Sequence, residues 1–522
     1  MIFSVICTFA KIHVYGLFSD NMVIQRYEPI VVTGSCLPNE SITVCLHNSK
    51  VNIKANKYGH WQVKLPCEKA GGPYLLEIKA KDETVSFHNI LIGDVWFAAG
   101  QSNMEHPMEG WEWLPHSSVY QFEEEIKDID FPCVRLLTIP KNVSSLATKD
   151  IVADWKMVNS INIRSFSSIG WFFAKRLNQK LNIPIGIINC SWAGTSIKSW
   201  ESKDVLSLFK DSIKYDENDY IPSKKVVTEN LINNRERNCL IANSGKNDFD
   251  MIFSSPDSCW HPINLCQIQS LDQEIVWIKK EFDIPEAYAN KNFYMSLGYL
   301  TKYFVIYLNG KFLSSGMYPE LIETFIPRYN IYPGRNTLIM RLGSRSGTPK
   351  FLGGKEFGLH TVDNDYHMEL SSNWYVNRKK TVLPAAKKEY QGYPCSIFNG
   401  MVAPCLNFRI KGIIWYQGEN DIDIPDLYSR LFKGLIQDWR KKWGEKDLPF
   451  LFVQLSLVPF DHLNSNETKC QYFRKCQNID VPNTYMVSSL DIGDPYNVHP
   501  RNKRVIGERL VDGAIKIVYT NK

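Results

Sequence analysis

Four apolar runs in this chain each stop at a glycine or a small polar cluster, and that repetition limits the fold more than any other feature. Ile90, Leu91, Ile92, Val95, Trp96 and Phe97 read as a strand that breaks off at Gly100, after which Gln101, Ser102, Asn103 and Met104 enter a turn. The run IGIINCSWAGTSIKSW at 185–200 supplies Gly194 and Thr195 just past a second strand. GIIWYQGEND at 412–421 stops at Gly418 and continues with Glu419, Asn420 and Asp421. TYMVSSLDIGDPYNVHP at 484–500 reads as a strand ending in Asp491, then a loop carrying Asp494 and His499. In a parallel sheet the carboxyl ends of all strands lie along one edge, so a hydroxyl, an amide and an imidazole far apart in sequence converge there.

Ser102 is a candidate nucleophile by this placement. A strand end holds the hydroxyl rigidly, and the glycine beside it leaves room for substrate and for backbone N–H groups to face a developing oxyanion. Taken alone, a serine capping a following helix explains the position equally well.

Composition narrows the ligand class. With 522 residues, 44% hydrophobic and 22% charged, the chain is globular and long enough for two or three domains. The net charge of +5 is spread without a dense basic tract, which argues against nucleic acid and against a polybasic membrane patch. No apolar run approaches the roughly 18 residues of a membrane span. A small or saccharide ligand is the better default, and the 14 Trp and 25 Tyr suit it, although most of these rings belong to cores and strands. The 13 cysteines include no C-x-x-C pair and no zinc spacing, so no metal site is predicted, and at least one thiol stays unpaired in a monomer. MIFSVICTFAKIHVYG at the N-terminus reads either as a shortened secretion signal or as a first strand; the first implies a secreted or periplasmic protein, the second leaves the cytoplasm open.

Along the chain the pattern changes three times. Residues 1–92 alternate as short strands (IVVTGSC, SITVCLH, GHWQVKL, YLLEIKA), predicting an N-terminal β-sandwich. Residues 93–204 alternate helix and strand, with Ile169, Phe172, Phe173, Leu177 and Leu181 at helical spacing. Residues 205–385 read as polar linkers followed by β-type segments, among them FVIYLNGKFL, a strand, an Asn-Gly turn and a return strand. Helix and strand alternation resumes over 386–522, with an amphipathic helix at 425–442, so the α/β domain is split by a β insertion.

GDVWFAAGQSNMEHPM, IKGIIWYQGEN and HPRNKRVIGERL together resemble the sialate O-acetylesterase family of the SGNH (GDSL-like) hydrolase superfamily, and LFSDNMVIQR at 17–26 is similar to it as well. The resemblance implies a three-layer α/β/α catalytic domain with a parallel sheet, plus the N-terminal β-sandwich and an inserted, galactose-binding-like jelly roll. It implies Ser102 as nucleophile, His499 as general base, and an oxyanion hole from the Ser102 and Gly194 N–H groups and the Asn420 side chain. Relatives often carry an aspartate three residues before the histidine. Here that position is Tyr496, which leaves Asp494, or Asp491, to orient the imidazole. Relatives also often place the block's asparagine one position later, where this chain has Asp421. Gln101, Asn103, Gln417 and Glu419 are candidate substrate contacts or supporting hydrogen-bond partners. The implied activity is a cofactor-free serine esterase acting on an O-acetylated saccharide, foremost sialic acid; acetyl xylan or another glycan is the alternative substrate, and an inactive carbohydrate-binding protein the alternative of a different kind.

Overall fold

A computed structural model describes residues 12–112, 117–127, 129–213, 221–242, 246–271, 273–300, 303–317, 320–344, 348–349, 351–377, 383–456, 466–494 and 497–520. Most of the N-terminal run predicted as a signal or a strand lies outside them.

One long strand, β1 (Thr84–Gly100), organises the molecule. Its first half pairs antiparallel with Gly71–Lys79, which joins Ser41–Leu46 and Ser49–Lys54, while Val23–Gln25 runs parallel to it. Its second half is central in a parallel sheet. That sheet contains β2 (Val134–Thr138), β3 (Ile185–Ser191), β4 (Gly412–Tyr416), β5 (Phe450–Val453) and β6 (Thr484–Val487), in the order β2-β3-β1-β4-β5-β6. The strand therefore runs unbroken through residue 92, where the sequence pattern suggested a change of regime.

Successive residues of a strand point to opposite faces, and on β1 both faces are covered by helices. Trp96 packs edge-on against Phe173 of α1 (Ser168–Leu181), whereas Phe97 meets Trp439 and Trp443 of α2 (Pro425–Trp443). Ser167 starts α1 by accepting a hydrogen bond from the Gly170 N–H, and Gly444 in the left-handed region ends α2. The apolar stripe of α2, including Leu431, Leu435 and Trp439, is fully buried; each such side chain contributes roughly 1.5–3 kcal/mol. On the α1 side lies α3 (Lys503–Ala514), whose Gly507 lets the helices approach closely: a Cβ there would stand 2.7 Å from that of Phe172.

The insertion forms a six-stranded and a four-stranded antiparallel sheet over one core that includes Ile278, Met295, Ile306 and Met340. The predicted hairpin is present as Tyr303–Leu308 and Lys311–Met317, turning on Asn309 and Gly310, both at positive φ. Trp260, Trp277 and Trp374 are core residues, none more than 6% exposed. Residues read as polar linker instead contain the helix Lys224–Ala242, whose apolar residues are scattered around its circumference and so carry no helical period.

A buried carboxylate ties the N-terminal strands to the parallel sheet. Asp94, fully buried, accepts two hydrogen bonds from Arg26 (2.9 Å each), one from Gln25 Nε2 (3.0 Å) and one from the Tyr519 hydroxyl (2.8 Å). This explains the QR of LFSDNMVIQR and the D of GDVWF as structure rather than chemistry. Asp94→Ala leaves Arg26 without its buried partner, and should lower stability in urea unfolding by about 3–5 kcal/mol; a loss below about 1 kcal/mol would contradict the reading.

Candidate active site

Register brings the blocks together. Gly100 of β1 lies opposite Ser191 of β3 and Tyr416 of β4, so these strands end at one level. Gly100 has φ +137°, and a Cβ there would sit 2.1 Å from the Tyr416 carbonyl oxygen. Past it the chain folds into one helical turn, Ser102–Glu105. The Ser102 side chain, in a residue only 6% exposed, makes no hydrogen bond among the described residues.

Beneath the serine lies a buried polar scaffold. The Gln417 amide donates to Gln101 Oε1 (3.1 Å), the Thr195 carbonyl (2.9 Å) and Asp421 Oδ2 (2.6 Å). Asp421 also accepts from the Ser196 hydroxyl (2.5 Å) and the Ile197 N–H (2.8 Å). Gln101, Gln417 and Asp421 thus clamp the Gly194 loop to the other two strand ends. The side of this loop is held again by Glu105, which accepts from the Ala193 N–H at 2.5 Å.

Asn103 joins the serine turn to the histidine loop. Fully buried, it donates to Glu419 Oε1 (2.5 Å) and to the Val498 carbonyl (3.0 Å), and its Oδ1 accepts from Lys503 Nζ. The residue after Ser102 is therefore bonded to the residue before His499. Gln101, Asn103, Gln417 and Glu419, candidate substrate contacts by sequence, are all engaged with one another or with neighbouring protein groups. Burial pushes the Glu419 carboxyl up, opposed by its bond from Asn103; burial also raises Asp421, against the donors around it.

Gly194, at φ +69°, has nothing within 4 Å of where a Cβ would lie, and its N–H makes no hydrogen bond among the described residues. It opens onto free space beside the serine loop. Asn420 is exposed, in the short turn Glu419–Asp421. The alternative slot at 421 holds a carboxylate that accepts from three donors, so the side chain able to donate an N–H at this corner is Asn420.

His499 is 6% exposed and its own N–H is held by Asn497 Oδ1 at 2.9 Å. The Asn497 N–H returns to the Asp494 carbonyl (3.2 Å), so Asp494 begins the tight turn that delivers the histidine. Asp491 is committed elsewhere. Both of its oxygens accept from Arg509 (2.7 and 2.6 Å), a pairing that holds its pKa at about 2. The imidazole ring packs edge-on against Trp111, centroids 4.7 Å apart, with the buried His106 ring 6.4 Å away. Burial first, then the positive field of Lys503 and His499, drives the His106 pKa well below its usual value, so it is neutral. Trp111 in turn clusters with Ile241, Ala242 and Tyr303 of the insertion. Sequence reading missed Trp111, His106 and Lys503. His106 and Lys503 stood in the motifs already quoted; for Trp111 there was no signal, because its role depends on a contact with the distant insertion.

Strand ends thus carry a serine, an open glycine and a histidine loop on one mixed α/β domain. Residues 92–220 and 389–516 match the family described as carbohydrate esterase, sialic acid-specific acetylesterase. It is 22% identical to the sialate O-acetylesterase of Mus musculus over 97% of this chain and 74% of that one, and 21% identical to that of Homo sapiens over 97% and 70%. The fold is similar to that of a carbohydrate acetylesterase from Xanthomonas citri, with TM-score 0.60, 21% identity, and coverage of 98% of this chain and 76% of the other.

These contacts separate the two acids. Asp491→Asn should leave kcat near native, since its partner is Arg509, while Asp494→Asn should lower kcat by about 10²-fold or more if that carboxylate sets the imidazole tautomer. Steady-state kinetics of both variants decide it; near-native kcat in both means that His499 works without a carboxylate.

Proposed function

We propose that the protein is a serine esterase that removes O-acetyl groups from sialic acids, with Ser102, His499 and Asp494 as its catalytic residues. The observation that carries this reading is the Asn103 bridge, which ties the residue after the serine to the residue before the histidine. The Ser102 oxygen adds to the acetyl carbonyl as His499 takes its proton. The Ser102 and Gly194 N–H groups, with the Asn420 amide, receive the oxyanion. A missing donor of this kind typically costs about 3 kcal/mol of barrier. Collapse expels the sugar alkoxide, which takes the proton back from the imidazolium, and leaves acetyl-Ser102. Water, deprotonated by His499, then attacks the acetyl group and releases acetate and free serine.

Within this reading the parallel sheet and its helices form the three-layer α/β/α catalytic unit of the SGNH superfamily. The strands before it are a β-sandwich, and residues 205–385 are a jelly-roll-like accessory. The packing of Trp111 between His499 and the insertion supports a role for that accessory in shaping the acyl site.

Ser102→Ala should reduce turnover of p-nitrophenyl acetate and of O-acetylated sialic acids to below about one percent with an unchanged circular dichroism spectrum. Retained activity refutes the nucleophile. If the native enzyme hydrolyses acetylated xylan and ignores acetylated sialic acids, the substrate assignment is wrong while the esterase chemistry stands.

A further inference from the structure

Lys503 is the first residue of α3 and is 2% exposed, an ammonium group placed four residues after His499 inside the protein. Long cations are seldom buried without a task. Its hydrogen bond goes to Asn103 Oδ1, and its attraction is to Glu419, which Asn103 also contacts.

The two ends of an Asn amide are nearly the same shape, so packing alone does not decide which way the group faces. The partners decide it together: the Val498 carbonyl only accepts and so takes an N–H, while the Lys503 ammonium only donates and so takes the oxygen. With Oδ1 turned toward the lysine, the two N–H bonds of Nδ2 meet two acceptors, Glu419 Oε1 and the Val498 carbonyl. The reverse orientation would set N–H against ammonium and oxygen against a carboxyl and a carbonyl, and all three bonds would be lost.

We propose that Lys503 is a positioning residue for the reaction: by fixing the orientation of the Asn103 amide, it holds the Ser102 turn, the Glu419 turn and the His499 loop in one register. The proposal rests on Ser102 and His499 as the reacting pair. Lys503 touches neither reacting atoms nor substrate and acts through Asn103. The ionisable groups that interact with it are Glu419 from the β4 turn and His106 from the end of the serine turn. Burial pulls the Lys503 pKa down to about 7, with Glu419 opposing, so the lysine is charged below neutral pH.

Lys503→Met tests this with p-nitrophenyl acetate as the probe. It should lower kcat roughly 10- to 100-fold with KM within about twofold. Asn103→Ala should be slow as well, and adding Lys503→Met to it should cost little more, since the lysine acts through the amide. Near-native kcat overturns the proposal, and so do fully additive effects of the two substitutions. Should Lys503→Met fail to fold, the Lys503→Met, Glu419→Gln double variant removes the stranded carboxylate and is judged by the same kcat and KM criteria. Failure of the underlying reading is distinguishable, because it shows in the native enzyme as activity that survives Ser102→Ala.

Discussion

Parallel pairing of β1 with β3 and β4 is the constraint on which the site depends. Gly100 stands opposite both Ser191 and Tyr416, so the three chains leave the sheet at the same height and side by side. A slip of one residue would turn Trp96 and Phe97 to the wrong helix layers and separate the loops together. The burial of β1 against Phe173 on one face and Trp439 on the other therefore fixes more than stability. It sets where Ser102 begins, and it does so at the point where the strand order changes direction, the usual place for a ligand crevice in such sheets.

Register sets three strand ends at one height, and buried hydrogen bonds join the loops that follow. Gln417 and Asp421 lock the Gly194 loop, and Asn103 locks the histidine loop. Satisfied networks specify a single arrangement and partly satisfied ones are costly; here Gln417 Oε1 and Glu419 Oε2 stay without a partner among the described residues. The cost is visible in the raised carboxyl pKa values of Glu419 and Asp421 and the lowered one of Lys503. The site is thus supported by groups whose charged forms the interior disfavours, and which hold one another in place.

Much of this was legible in the sequence because the signals were local. Apolar runs ending at Gly100 and Gly418 mark strand ends, the spacing from Ile169 to Leu181 marks α1, and Asn309-Gly310 marks a hairpin turn. What the sequence hid was the fate of polar residues at those ends. Gln101, Asn103 and Gln417 read equally as substrate contacts or as supporting hydrogen-bond partners, because burial is a tertiary property; all three lie inside the scaffold. Position alone ranks Asp494 before Asp491; that Arg509 occupies Asp491 depends on another element and was not readable. Trp111 was invisible for the same reason, and the helix Lys224–Ala242 because its pattern has no apolar face.

If these strand ends assemble an acyl-transfer site around Ser102, the acetyl group passes through that side chain and can be trapped there. The native enzyme would be mixed with p-nitrophenyl acetate, quenched in acid within the first turnover, digested and mapped by mass spectrometry. An acetyl group should appear on Ser102, formed with a burst of p-nitrophenol and lost as turnover proceeds. Turnover without acetylation of Ser102, or with the label on another side chain, would rule out the serine mechanism.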